Sequence, residues 1–104
     1  MRRAGVYVAA INFSTNGDNV VISSPANGPI LVYGISFTVA GVTNITFKNG
    51  TTAQSGGFVF TGNGSSMTFP ISESPVYFCD PGNNFVMNSS QAVQVSGSVW
   101  YTTG

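Results

Sequence analysis

The sequence predicts an all-β domain: a two-sheet, jelly-roll-like sandwich of eight or nine short antiparallel strands. Three observations lead there. Apolar and polar residues alternate with period two along most of the chain. Each alternating run ends in Gly, Pro, Asn or Ser turn residues. No segment carries the 3.6-residue apolar period of a helix. Eight strands in ~100 residues is the size of a jelly roll, which leaves few edges exposed.

The longest run, Ile30 to Ala40 (ILVYGISFTVA), organises the rest. Its odd positions Leu31, Tyr33, Ile35, Phe37 and Val39 are large and apolar, whereas Gly34, Ser36 and Thr38 are small or polar. That pattern predicts a half-buried strand with its odd side chains facing the core, spanning roughly 30 Å at ~3.3 Å per residue.

The other elements follow in order. Gly5 to Phe13 reads as the first strand, with Tyr7, Ala9, Ile11 and Phe13 on one face. Asn16-Gly17-Asp18-Asn19 is a turn. Val20 to Ile22 is a short strand, closed by Pro25 and then Asn27-Gly28-Pro29. After the long strand, Asn44 to Lys48 alternates again and meets the strong turn signal Asn49-Gly50. Gln54 to Gly57 reads as a loop or weak strand start, and Phe58 to Phe60 as a strand. Met67 to Ile71 contains Pro70, which places it at a sheet edge or a strand end. Val76 to Cys79, Phe85 to Asn88 and Ala92 to Thr102 complete the set. In the last, Val93, Val95, Val99 and Tyr101 form the core-facing row, and Gly97 is a candidate bulge.

With 104 residues and no linker or fixed-period repeat, the chain reads as one domain over 1–104. Residues 1–4 form a candidate extended arm; terminal fraying is the ordinary alternative. Hydrophobic residues make up 42% and aromatic residues 12%, which argues against disorder. Charged residues are only 6%, with formal net charge zero. Such a surface of Ser, Thr, Asn, Gln and Gly suits a chain packed against other subunits better than a free monomer.

The same composition excludes several functions. Without histidine the chain lacks the usual general base, metal ligand and nucleophile partner. Asp18, Glu73 and Asp80 all lie in turn-like contexts, where hydrogen bonding and solubility explain them. Asp80-Pro81-Gly82-Asn83 with Asn84 offers calcium one carboxylate and lacks the spacing of a dedicated loop. No enzyme activity, metal or cofactor is expected.

Nucleic acid is not an expected partner, because only Arg2 and Arg3 cluster and a solvated terminus explains them. No apolar run reaches the ~18 residues of a membrane helix, so no membrane partner is expected. The start of the chain mimics a signal peptide but is too short and is broken by Asn12, so cytoplasmic synthesis is expected. Asn-x-Ser/Thr sequons at Asn12, Asn44, Asn49, Asn63 and Asn88 are then chance products of composition. Cys79 is the sole cysteine: a small buried hydrophobe, or else an intermolecular bridge.

Two features are candidate interaction sites. Trp100 alternates away from the core row and shares its face with Gln94, Ser96 and Ser98. A large aromatic on a polar face is the signature of an interface hot spot; cover for the second sheet or a loop is the equal alternative. The second is the N-terminal segment with Arg2 and Arg3, placed to reach a neighbouring subunit.

Several motifs resemble a group of small tailed-bacteriophage structural proteins. They are Phe69-Pro70-Ile71, Pro75, Tyr77-Phe78, Gly82, Phe85-Val86-Met87-Asn88-Ser89, Val93-Gln94-Val95-Ser96-Gly97 and Tyr101. Upstream, Val42 through Gly50 resembles the same group's strand and hairpin. Where similar chains have a Trp-Phe pair and a Glu after the glycine, this one has Tyr77-Phe78 and Asn83. The resemblance implies a virion protein of the head decoration, or cement, type. It further implies a homotrimer on the major capsid protein, made in the host cytoplasm and carried on the capsid surface. A trimeric tail-fibre or receptor-binding domain that recognises host glycans is the alternative.

Overall fold

The computed structural model describes residues 6–25 and 28–103. Ten strands run in order: β1 Tyr7–Phe13, β2 Gly17–Ile22, β3 Ile30–Val39, β4 Thr43–Asn49, β5 Thr52–Ala53, β6 Phe58–Phe60, β7 Ser65–Phe69, β8 Tyr77–Cys79, β9 Phe85–Ser89 and β10 Val95–Thr102. All pairings are antiparallel. Sheet A has the order β1-β10-β3-β7, with β8 also on β3; sheet B has β2-β9-β4-β5, with β6 also on β4. Taking β5/β6 and β7/β8 each as one interrupted arm, this is the double Greek-key winding of a jelly roll. The count exceeds the eight or nine expected because β5, two residues long, is too short for any period to register.

The alternating side chains of both sheets meet in one core. Ile11, Ile35, Phe37, Val39, Val95 and Val99 of sheet A face Ile45, Phe47, Phe60, Phe85 and Met87 of sheet B, all buried. Phe47 is the aromatic hub, with ring centroids 4.9 Å from Tyr77, 5.9 Å from Phe85 and 6.0 Å from both Phe37 and Phe69. Buried hydroxyls are paired: Thr43 Oγ1 and Ser89 Oγ lie 2.7 Å apart, and Ser89 Oγ donates to the Gln91 carbonyl.

The long strand departs from its expected pattern. Ile35, Phe37 and Val39 face the core as expected, but at the N-terminal end the even residues Ile30 and Val32 do so instead. Leu31 is only half-buried, and Tyr33 is buried outside the inter-sheet cluster. The cause is a β-bulge. Trp100 pairs with Gly34 and Tyr101 with Val32, so Tyr33 is an extra residue that reverses the alternation before it.

Gly97 is correspondingly not a bulge. Its register with Phe37 and Ile11 is unbroken, and it lies where a side chain would strike the β3 backbone. Other bounds shift modestly. β2 begins at Gly17, inside the expected turn, because Asp18 and Asn19 pair with Asn88 and Met87 of β9. β7 lies at a sheet edge, as its proline predicts, and stops at Phe69. β10 begins at Val95, later than Ala92, with Val93 packed against the core just before it.

Candidate interaction face

Charge divides the two sheets. No strand of sheet A (β1, β3, β7, β8, β10) carries a charged side chain. The strand-borne charges, Asp18 of β2 and Lys48 of β4, both belong to sheet B and neutralise each other at 2.9 Å. Asn88 Nδ2 also donates to Asp18, at 2.7 Å. These two hydrogen bonds, that from Asn88 first, hold the Asp18 carboxyl below its ordinary value despite a small opposing cost of burial.

The outer face of sheet A changes character along its strands. At one end, Asn12, Ser96, Thr38 and Ser66 form one cross-strand row, and Ala10, Ser98, Ser36 and Thr68 the next. Both rows are small and nearly all polar, with Ser36 and Thr68 hydroxyls 3.3 Å apart. The following row, Val8, Trp100 and Gly34, is apolar, and beyond it Leu31 pairs with Phe78. Val8 is 60% exposed, Phe78 44% and Trp100 partly so.

Ile71 completes the apolar half. The segment between β7 and β8 arches over the β3 bulge, held by Ser72 N donating to the Tyr33 carbonyl and Val76 N to the Val32 carbonyl. This seats Ile71 on Gly34, so closely that a Cβ there would lie 2.8 Å from Ile71 Cγ1. Ile71 remains 60% exposed on its other side. Glycine at 34 is therefore what admits the arch.

The expected site residues separate accordingly. Trp100, Ser96 and Ser98 share the outer face, as the alternation predicts. Gln94 precedes β10 and fastens that end of the face, its Nε2 donating to Asn12 Oδ1 at 2.7 Å and Ser96 Oγ at 3.0 Å. Arg2, Arg3 and the candidate arm 1–4 lie outside the described residues. The surroundings of Trp100 are more apolar than the sequence suggests, because the bulge turns Leu31 outward and the arch adds Ile71. Only Val8, alternating with Tyr7 and Ala9, was legible as part of this patch.

Two other features resolve differently. Cys79 is fully buried, its Sγ 3.6 Å from the Asn84 carbonyl. Burial, and then the negative charge of Asp80, push its thiol up to about 11, against a weaker lowering by Gln54. A bridge to another molecule from this position would require the domain to open. The Asp80 turn is internally engaged: Asn83 N donates to the Asp80 carbonyl, and Asn49 Nδ2 to Asp80 Oδ2 at 3.0 Å. Beside it lies a shallow depression of about 330 Å³, lined by residues that include Asn49, Thr51, Thr52, Asn83 and Val86. Among the described residues no three His, Cys, Asp or Glu side chains gather as a metal site would need.

Fold and face together define a jelly-roll domain that exposes a sheet with no charge on its strands and an outer face that is half apolar. Comparison with known proteins finds no family model that matches the chain and no curated protein similar to it.

Proposed function

We propose that this chain is a non-enzymatic head decoration protein of a tailed bacteriophage, made in the host cytoplasm, which binds the outer surface of the major capsid lattice and stabilises the head. The observation that carries the proposal is the outer face of sheet A, where Val8, Trp100, Leu31, Phe78 and Ile71 form an apolar half in a sheet without charge. Burying the outer face of these strands against another protein removes apolar area from water with no strand-borne charge to desolvate. Contiguous exposed apolar surface of this kind marks interaction sites. The phage assignment itself rests on the sequence resemblance. Copies gathered as a homotrimer would multiply weak contacts into durable attachment, and binding only the assembled shell stabilises that shell by mass action.

The test is cryo-electron microscopy of purified particles, followed by binding of the isolated protein to heads that lack it. Decoration of the head lattice, with Trp100→Ala binding roughly 30-fold more weakly as expected for a hot spot, supports the proposal. Equal binding by folded Trp100→Ala removes Trp100 from the interface. Absence from the head overturns the assignment.

The depression beside Asn49, lined in part by Asn and Thr side chains, favours a second reading, a tail-fibre domain that holds host glycans. Its amides are largely committed within the protein, Asn83 Nδ2 donating to Asn49 Oδ1, Asn49 Nδ2 to Asp80 Oδ2, and Asn84 Oδ1 accepting from Ser24 N. No aromatic ring lines it for a sugar to stack on. Confinement of the protein to the tail would decide for this reading.

A further inference from the structure

The four sheet edges are not alike. At the β2 edge, Asp18 places a charge and the register shifts between Val20 and Ile22. The β5/β6 edge consists of strands of two and three residues with Gly56 and Gly57 between them. The β7/β8 edge is interrupted by the arch from Pro70 to Val76, which contains two prolines and Glu73. Charge, irregularity, shortness and proline are the devices by which proteins prevent edge-to-edge pairing.

β1 has none of them. It is seven residues of YVAAINF without charge or proline, and its register with β10 is continuous from Tyr7 to Phe13. Tyr7 and Val8 are 52% and 60% exposed. Among the described residues, β10 is its only strand partner. We infer that β1 is the docking edge for a second copy of this chain, the two β1 strands pairing antiparallel about a two-fold axis. The inference goes beyond the decoration reading and does not depend on it.

A second copy fits because the strand is self-complementary. Full overlap sets Ala10 against its own counterpart, Ala9 against Ile11, Val8 against Asn12 and Tyr7 against Phe13. On the core side Tyr7 then meets Phe13, Ile11 being already buried in its own core, and sheet A brings no like charges together. The axis of such a pairing stands perpendicular to the sheet, so sheet A runs on through both copies. Both Trp100 faces therefore look the same way, towards one common surface. Seven residues give a contact only ~23 Å long, at the small end of specific interfaces, so pairing is concentration-dependent.

The test is the mass of the full chain by sedimentation equilibrium over a dilution series. An isologous contact predicts an even number of copies: two, or six where threefold contacts also form. Ala10→Lys puts two ammonium groups across the axis from one exposed position. It should weaken pairing roughly tenfold or more, halving the assembly at moderate concentration. Val8→Lys faces Asn12 of the other copy and not a second lysine, so it should weaken pairing less than Ala10→Lys; circular dichroism would show both variants folded. Mixing Ala10→Lys with Ala10→Glu should restore an even assembly containing one of each, visible by native mass spectrometry. A parent chain that stays monomeric or forms only trimers overturns the inference, as does a mass indifferent to both lysines. So does an edge that takes up an extended segment of a capsid subunit but not its own copy.

Discussion

Gly97→Ala perturbs a single hydrogen atom at the centre of sheet A. Gly97 lies in β10, which pairs with β1 on one side and β3 on the other, so it has no edge towards which to yield. A Cβ built there would lie 2.6 Å from Phe37 Cα and 2.7 Å from Phe37 Cβ, and against the Ser36 carbonyl oxygen. Ordinary carbon contacts begin near 3.5 Å, so β3 and β10 must separate by roughly 1 Å. Two of the three atoms are backbone, and no rotamer change relieves them. Overpacking of this kind costs ~1–3 kcal/mol, and each ladder hydrogen bond stretched apart adds ~1 kcal/mol. The expected loss is about 3–4 kcal/mol, a large share of the ~5–15 kcal/mol available to a small domain. Gly62→Ala is the control, since a Cβ there meets nothing within 4 Å at an ordinary φ; it should change stability by less than ~1 kcal/mol. Urea unfolding of both variants measures the difference, provided the slope is unchanged. A Gly97→Ala midpoint equal to that of Gly62→Ala would refute the close-approach argument and reopen the bulge assignment.

Two further outcomes follow from the titrating groups. The Asp18 carboxyl is held below its ordinary value of 3.8 in the folded chain, so its contribution is present above about pH 4 and lost as pH falls through the lowered value. With the Asp18 carboxylate exposed to solvent, the pair is worth no more than ~1 kcal/mol. Asp18→Asn should remove that part of the acid sensitivity, and a carbon-detected NMR titration in which the Asp18 carboxyl shows its ordinary value would contradict the assignment. Cys79, with its thiol raised to about 11 and its sulfur buried, should resist iodoacetamide at pH 8 in the native state and react fully in denaturant. Rapid native labelling would mean that the β8 end opens easily.

Fold class, the strands longer than two residues and most of the core were legible in the sequence. Period-two alternation is a local property: when one face of a strand is dry and the other wet, its own residues say which is which. That is why Ile35, Phe37, Val39, Ile45, Phe47, Val95 and Val99 were readable as core, and why Trp100 was readable as facing away from it. The near absence of charge was equally plain, since counting residues requires no structure. The placement of Leu31, Tyr33 and Ile71 depended instead on a register between distant strands. Whether Tyr33 is paired or extra is settled by Trp100 and Tyr101, almost seventy positions away, and Gly34 matters only because the arch crosses it. Sequence determined that the chain would carry almost no charge and that Trp100 would face away from the core. Only the tertiary structure, by inserting one residue into β3 and laying Ile71 over a glycine, decided that half of the outer face would be apolar.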